Sequence, residues 1–291
     1  MPDDTVAAGP PTSSAAPPRH SRQSGLFVTV VLAVCSLVMV SPFLWELLTS
    51  MKSLAEATRV PPVFVPAKWR WENYDRVFNA IPFAHQFLNT VIVTVARVAG
   101  QLLFCSLAAY AFARLQFRGS TVLFGLCLSI LMVPPQLYVI PQYQIMASWG
   151  WLNTLQALTV PGLFSAFGVF LLRQFFMALP RDLEDAARID GCNPIQVYWY
   201  VMLPLVRPGL MALGVLTTIW SWNELLWPLI VNTDPEKMTL SAGLASLQGQ
   251  RLTDFPVLMS GALMASLPMI ILFSVLQRQF IASIATTGMK G

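Results

Sequence analysis

Charged side chains cluster in one stretch of the sequence, residues 182–208, which reads DLEDAARIDGCNPIQVYWYVMLPLVRP. The long apolar segments on either side of it are almost uncharged. A polar, helix-forming stretch between two apolar runs of membrane length fits a docking element that faces water. Its six acidic or basic residues are Asp182, Glu184, Asp185, Arg188, Asp190 and Arg207.

Capping residues divide this stretch into two short helices. Asp182 is a good N-cap, and Asp185 three residues later approximates a capping box. Gly191 stands where a helix C-terminus favours a left-handed residue, so we expect an elbow there. Asn193 and Pro194 then fit the N-cap and first position of a second helix. This second helix is expected to stop at Pro204 and to place on one side Ile195, Tyr198 and Met202.

The first of these helices is expected to present a shallow face. Two adjacent alanines in that face let another surface approach closely, and membrane spans at both ends make the whole unit suited to transmitting displacement. The residues spaced along this face are Leu183, Ala186, Ala187 and Asp190.

The sequence holds no set of residues typical of an active site. His20 and His85 are far apart and have no evident partner, and no GxxxxGK[ST] loop is present to bind the phosphates of ATP. The cysteines lack metal-like spacing: Cys35, Cys105, Cys127 and Cys192. We therefore predict no catalytic residue, no metal site and no cofactor in this chain.

Two charges fall inside apolar segments, Arg97 and Glu224. A charge at the centre of a bilayer costs at least about 2.5 kcal/mol, so both should face a partner, a bundle interior or a cavity. One interpretation is a solute pathway lined by Arg97, Trp222, Asn223 and Glu224, in which Trp220 and Trp222 stack on a sugar ring. The other interpretation is a structural hydrogen bond between neighbouring spans.

The composition is that of an integral membrane protein. Of the 291 residues, 55% are hydrophobic and 11% are charged, and the mean hydropathy is +0.60. A soluble domain has about 25% charged residues, so this chain has too little charge to cover a soluble surface. The scattered basic residues form no run that would bind nucleic acid. Six spans are predicted by length, near 26–48, 87–112, 120–140, 156–178, 208–231 and 256–277.

The inner segments of this topology hold more Arg and Lys than the outer ones, which places both termini and residues 182–208 in the cytoplasm. The first apolar run is longer than a signal peptide core and has no cleavage site after it, so a retained span is favoured over a signal peptide. The predicted parts are a disordered cytoplasmic tail at 1–24, a first transmembrane helix at 25–50, an extracytoplasmic loop at 51–86, a core at 87–285 and a cytoplasmic tail at 286–291.

Two segments each fit two interpretations, the loop at 51–86 and the proline pair that ends the third span. The loop at 51–86, rich in Pro and Trp, fits either a recognition surface or a structured connector. Pro134 and Pro135 break or end the third span, and a polar, aromatic turn is expected from Gln142 to Asn153. A helix break within the membrane is tolerated beside a cavity, so the alternatives are a polar solute path and a simple helix end.

The polar stretch resembles the EAA loop of ABC importer permeases, in Asp185-Ala186-Ala187, Asp190-Gly191 and Leu203-Pro204. Asp185 stands where that family has Glu. Further segments match the carbohydrate-uptake branch, close to the second permease subunit of maltose-type importers. These segments are Ala108–Arg114, Phe117–Gly119, Asn153-Thr154, Trp222–Glu224, Trp227–Leu229 and Gly288–Gly291.

The resemblance implies an all-α, six-span permease of the MetI-like fold in a bacterial cytoplasmic membrane. It implies a second homologous permease, an ATPase dimer that docks at 182–204 and holds ATP and Mg²⁺, and an extracytoplasmic solute-binding protein. A sugar is the implied substrate; glycerol 3-phosphate or a related phosphodiester is the alternative, and a secondary transporter is the alternative of another class. The residues implied to couple to the ATPase are Glu184, Asp185, Ala186, Ala187, Asp190, Gly191, Leu203 and Pro204.

Overall fold

The computed structural model describes residues 22–248 and 253–288, with the side chains of 27–248 and 253–275. Most of the predicted tails at 1–24 and 286–291 therefore lies outside the described residues. All regular structure within the described ranges is helical, which confirms the all-α prediction. The described residues up to Trp45 form one compact unit, and those from Glu46 onward form a second.

The first helix, α1, spans Arg22–Ser50 and is apolar along most of its length. The loop that follows it is structured, because it contains α2 (Leu54–Ala57) and α3 (Glu72–Ala80). The buried amide of Asn73 in α3 donates hydrogen bonds to the carbonyls of Ser50 and Lys52, at 2.8 and 2.9 Å. This loop is thus a structured connector, and its part in recognition stays a prediction.

Helix α4 spans Phe83–Arg114 and starts four residues earlier than predicted. Helix α5 (Ser120–Ser129) continues as a 3-10 turn to Met132 and ends before Pro134. After a second 3-10 turn, α6 (Val139–Ser148) leaves at 98° to it. The expected turn at 142–153 was wrong for 142–148, because Pro141 lies in the first turn of α6, where its missing N–H disrupts no helical hydrogen bond.

The second half of the chain continues with a span made of two pieces, α7 (Leu155–Thr159) and α8 (Ala166–Met177), joined through a 3-10 turn. Helix α9 (Asp182–Ile189) is followed by a continuous helical segment, Pro194–Leu205. That segment comprises α10 (Pro194–Gln196), a π-helix (Val197–Met202) and α11 (Leu203–Leu205). The remaining helices are α12 (Arg207–Asn223), α13 (Leu226–Val231), α14 (Leu240–Ser246) and α15 (Phe255–Gly288).

Four of the described segments are long and apolar enough to cross a membrane without a sharp bend, at Phe27–Ser50, Phe83–Arg114, Leu155–Met177 and Phe255–Val275. Two further pairs of helices qualify only as bent spans, Ser120–Met132 with Pro135–Ser148 and Pro194–Leu205 with Arg207–Asn223. By length and composition alone, each bent pair counted as one span gives up to six spans. In the second pair, the predicted topology assigns Arg207–Asn223 to the membrane and Pro194–Leu205 to the cytoplasmic side. The predicted fifth span at 208–231 is interrupted, because Glu224 has an extended backbone between α12 and α13.

Helix α4 is the central element of the second unit, and it packs mainly against α8 and α12. Three apolar clusters follow it, near Phe83, near Val93 and between Cys105 and Tyr110. The helices approach closely where Gly168 of α8 meets α4 and α12. A Cβ atom there would lie 3.0 Å from Cys105 Sγ and 3.1 Å from a Leu213 methyl, as expected where small residues bring membrane helices together.

Candidate docking and translocation sites

The polar stretch forms two helices at a fixed elbow, residues 182–205, which we call the elbow unit. Gly191 ends α9 with a left-handed backbone, φ +87°. Its N–H donates to the Arg188 carbonyl and the Cys192 N–H donates to the Ala187 carbonyl, both at 3.0 Å. These two bonds make a complete Schellman motif, which satisfies the carbonyls at the end of α9. The predicted elbow is therefore present.

The start of α9 differs from the prediction that Asp182 is its N-cap. Arg181 is the N-cap and uses no side-chain hydrogen bond, since its own backbone is already helical, with φ −71° and ψ −29°. The Arg181 carbonyl accepts from the N–H groups of Glu184 and Asp185 at 2.9 and 3.2 Å. Asp182 thus lies inside the first turn, where its negative charge favours the helix N-terminus through the helix dipole.

The second helix begins as predicted and continues beyond the prediction. Asn193 and Gln196 exchange side chain–backbone bonds of 2.9 and 2.8 Å in a capping box, with Pro194 at the first position. The helix ends at Leu205, one residue after Pro204. Of its expected apolar side, Tyr198 and Met202 are buried while Ile195 is 69% exposed. The wider π turn that starts at Val197 changes the angular spacing, so Ile195 falls outside that face.

The two faces of α9 are not divided as expected. Glu184 and Ala187 are buried, and Ala187 belongs to the apolar cluster around Cys105 and Tyr198. The expected shallow face was therefore wrong for Ala187, because the small side chain lets α9 lie close against the core. The exposed surface of α9 and its C-cap holds three carboxylates and one cation, and its residues are Asp182, Leu183, Asp185, Ala186, Arg188, Ile189 and Asp190.

The remaining residues of the predicted coupling set lie at different depths. Leu203 and Pro204 are half-buried beyond the π-helix, and Gly191 is exposed at the elbow. Glu184 faces the buried guanidinium of Arg114 at the end of α4. Only four residues of the set are therefore available at the surface for direct contact with another protein: Asp185, Ala186, Asp190 and Gly191. Coupling to an ATPase stays a prediction for all eight residues.

The two intramembrane charges form an ion pair. The Nη1 group of Arg97 contacts the Glu224 carboxylate, and its Nε donates to the Leu158 carbonyl at 2.9 Å. The Arg97 side chain is 9% exposed and that of Glu224 is 32% exposed. This is the structural hydrogen bond between neighbouring elements that the sequence left as one of two alternatives.

The same pair also lines a cavity of about 370 Å³, so the two alternatives are compatible. The cavity lies where three chain interruptions meet: the break before Pro135, the turn at Gly162 and the end of α12 at Glu224. Its volume is within the range of small-ligand pockets. Its polar side chains are Arg97, Gln136, Tyr138, Gln142 and Glu224.

Two residues of the predicted pathway do not line this cavity. The indole of Trp222 is 8% exposed; its Nε1 donates to the Ala265 carbonyl at 3.1 Å and its edge packs on Phe87. The Asn223 amide donates to the Ile219 carbonyl of its own helix. Trp220 is half-exposed and packs edge-on against Phe167, away from Trp222. The structure does not bring the two indoles together as an expected stacking pair, because positions two residues apart on a helix point to different faces.

The structure adds polar residues that the sequence reasoning missed. Gln136, Tyr138 and Gln142 follow the proline pair and enter the cavity because α6 turns back there.

A polar stripe also runs along the buried face of α4 and forms hydrogen bonds with other elements. Its recurrence mostly at steps of three or four residues, along one helical face, was a signal that could have revealed it. Its members, besides Arg97, are Gln86, Asn89, Thr90, Thr94, Gln101 and Ser106.

These features define a class of protein: an all-helical membrane protein with broken spans around a polar cavity and a charged elbow unit held between them. Residues 101–285 match the family model of the binding-protein-dependent transport system inner membrane component. The chain therefore belongs to this family of ABC importer permeases. Membership implies a solute-binding protein and an ATPase as partners, and places the chain in an inner membrane.

Two curated relatives extend the match over nearly the whole chain. The arabinooligosaccharides transport system permease protein AraQ of Halalkalibacterium halodurans is 35% identical, over 91% of this chain and 96% of that protein. The sn-glycerol-3-phosphate transport system permease protein UgpE of Yersinia enterocolitica is 29% identical, over 90% and 96%.

A solved structure has the same fold. It is the crystal structure of a bacterial ABC transporter involved in the import of the acidic polysaccharide alginate. One of its chains superposes with a TM-score of 0.79 at 26% identity, covering 92% of this chain and all of that one. The ABC importer permease fold predicted from the EAA-like loop is thus confirmed.

Proposed function

We propose that this chain forms half of the translocation pathway of an ATP-driven importer for a sugar or oligosaccharide. It pairs with a second, homologous permease and receives its solute from an extracytoplasmic binding protein. ATP and Mg²⁺ act on the separate ATPase dimer, and this chain performs no chemistry. Both termini and the elbow unit face the cytoplasm, where the ATPase docks at 182–204.

The elbow unit is the observation that carries this proposal. Its outward surface combines three carboxylates and the guanidinium of Arg188 with the side chain of Ile189, which is 86% exposed. The carboxylates, which outnumber the cation, belong to Asp182, Asp185 and Asp190. Two capping motifs fix its shape at Gly191 and Asn193, so a partner meets a preformed surface. A mixed acidic and apolar patch suits a protein partner with basic residues at its rim.

The polar groups that line the cavity fit a neutral, hydroxyl-rich solute. Amide and phenol groups of Gln136, Tyr138 and Gln142 can donate and accept hydrogen bonds, as the hydroxyls of a sugar require. Arg97 is the cation that lines this cavity, and its charge is already paired with Glu224. A phosphate would require a free cation, so sn-glycerol 3-phosphate is the weaker candidate despite the similarity to UgpE.

The same ion pair weighs against a secondary transporter. Coupling to an ion gradient usually uses intramembrane carboxylates that bind and release the ion. The carboxylate that lines the cavity, Glu224, is held by Arg97. Energy from ATP hydrolysis on a partner chain needs no such group in this one.

The test is uptake into proteoliposomes that contain the complex of both permeases and the ATPase, with its binding protein supplied outside. Three solutes are compared: an arabino-oligosaccharide, a maltodextrin and sn-glycerol 3-phosphate. We expect uptake of a neutral sugar that depends on internal ATP and on the binding protein. Uptake driven by an ion gradient without ATP would refute the importer assignment, and selective uptake of the phosphate would refute the substrate class.

A further inference from the structure

We propose that two buried contacts, Arg114–Glu184 and Ser106–Tyr198, transmit displacement of the elbow unit to α4. The four residues are positioning residues, since none of them reaches the cavity. The inference rests on the proposed function, because it assumes that an ATPase presses on the elbow unit. It adds the route by which that displacement reaches the solute cavity.

Arg114 fixes the end of α4 to the end of α8. Its side chain is 4% exposed, and its Nη2 donates to the carbonyls of Phe176 and Leu179 at 2.6 and 2.5 Å. These carbonyls lie in the last turn of α8 and just beyond its end, where a cation is favoured by unpaired acceptors and by the helix dipole. Arg173 makes the reciprocal contact, from α8 to the Phe112 carbonyl of α4 at 3.3 Å. The two helix ends are therefore held together as one piece.

Glu184 brings α9 to that same point. Its side chain is 7% exposed, and its Oε1 lies 3.5 Å from Arg114 Nε. Neither of these two buried atoms has a hydrogen-bond partner in the described part of the chain. An ordinary N–H···O bond is about 2.7–3.2 Å long, so a shift of α9 by less than about 1 Å would complete the contact. A small displacement of the elbow unit thus changes how well two buried groups are satisfied, which makes the junction responsive to it.

Tyr198 provides the second contact, from the other helix of the elbow unit. Its hydroxyl lies 2.7 Å from Ser106 Oγ, and its ring packs on Tyr110 and Phe176 with centroids 5.3 and 6.5 Å away. Tyr198 lies in the π-helix Val197–Met202, a local form that is frequent at functional sites. Ser106 and Arg114 are eight residues apart on α4, so the elbow unit holds this helix at two points about 12 Å apart.

Helix α4 is suited to carry the movement onward. It is one unbroken helix from Phe83 to Arg114 and contains no proline. Arg97 lies 17 residues before Arg114, roughly 25 Å along the helix axis, and lines the cavity with Glu224. A tilt or axial shift imposed at Ser106 and Arg114 therefore moves the guanidinium of Arg97 relative to Glu224, which directly follows α12.

The test uses the assembled importer in proteoliposomes and measures uptake and ATP hydrolysis in the same sample. Glu184→Gln keeps the shape of the side chain and removes its charge, and Tyr198→Phe removes one oxygen. Glu72→Gln, an exposed acid in α3 far from the elbow unit, is the matched control. We expect both test variants to assemble and hydrolyse ATP while solute uptake per ATP falls about fivefold or more, and the control to retain the wild-type ratio.

The ratio of uptake to hydrolysis distinguishes transmission from simple stability, because a merely structural contact changes both rates together through the amount of folded complex. An unchanged ratio in the Glu184→Gln complex would overturn the proposal. If that complex fails to assemble, Tyr198→Phe decides the matter by the same ratio. Failure of the wild-type chain to bind the ATPase, or to import any solute with ATP, would instead refute the proposed function.

Discussion

Replacement of Gly191 tests the elbow most simply, because the effect comes from the backbone alone. The residue has φ +87°, and nothing lies within 4 Å of a Cβ atom built on it. A substitution there meets no steric clash, so its cost is the cost of holding a side-chain-bearing residue in the left-handed region. For a β-branched residue that cost is about 1–2 kcal/mol, and somewhat less for Ala.

This cost sets the expected size of the effect. If the Schellman elbow is the form that the ATPase engages, about 1–2 kcal/mol lowers its population about 5- to 30-fold relative to alternatives without the left-handed turn. We expect ATP-dependent uptake by Gly191→Val to fall by that factor at limiting ATPase concentration, with normal membrane insertion. Gly191→Asn should stay within about threefold of wild type, because Asn tolerates this backbone.

The assay is uptake into proteoliposomes over a titration of purified ATPase, with the amount of inserted permease measured in the same vesicles. The order glycine, asparagine, alanine, valine is the diagnostic result. Equal loss in the Asn and Val variants would refute the backbone argument, since it would show that side-chain volume at position 191 decides the outcome. Wild-type uptake by Gly191→Val would refute the need for a fixed elbow.

Three further predictions concern the cavity, the buried indole of Trp222 on α12 and the loop at 51–86. Gly162→Ala places a Cβ atom 2.5 Å from Arg97 Nε, so overpacking should lower the stability by about 1–3 kcal/mol and raise the KM for solute, measured by thermal unfolding and uptake. Trp222→Phe removes the bond to the Ala265 carbonyl and should lower stability by about 1 kcal/mol without changing that KM. Hydrogen bonds, chiefly from the backbone and side chain of Ser53, lower the pKa of Glu56. The contribution of Glu56 to stability is therefore present at neutral pH and is lost as the pH falls through that lowered pKa. Glu56→Gln should remove this acid dependence of the unfolding temperature.

Each of these has a result that would contradict it. Gly214→Ala is the control for Gly162→Ala, because its Cβ would meet its nearest neighbour at 3.9 Å; equal loss in both would exclude a specific clash with Arg97. A raised KM for Trp222→Phe at unchanged stability would restore the solute-stacking interpretation. If the unfolding temperature of Glu56→Gln falls with acid as it does in wild type, another group causes that dependence.

Features set by neighbouring residues were predictable from the sequence. The elbow depends on Gly191 and on the pair Asn193 and Pro194, whose backbone preferences act over one helical turn. The break at Pro134 is equally local, because proline removes a donor wherever it stands. The four candidate spans without a sharp bend follow from length and hydropathy. The start of α9 was missed by one residue, because Arg181 and Asp182 can both begin a helix and tertiary packing decides between them.

Features set by residues distant in sequence were not predictable. Arg97 and Glu224 are separated by 127 positions, and the sequence alone offered a pathway and a structural bond without showing that one pair does both. Arg114 and Glu184 likewise meet only because α4, α8 and α9 converge at one point. The burial of Ala187 has the same origin. Helical spacing gives the relative directions of side chains and leaves open which face of the helix meets the core.

The central claim is that the outward surface of α9 docks on the ATPase, and crosslinking from two adjacent positions tests it most directly. Ala186 is exposed and Ala187 is 6% exposed, so Ala186→Cys and Ala187→Cys differ mainly in direction. In a background without the native cysteines, a short bifunctional reagent should join Ala186→Cys to the ATPase in the assembled complex and leave Ala187→Cys unreacted. Crosslinking from neither position, or equally from both, would contradict the docking surface described for α9.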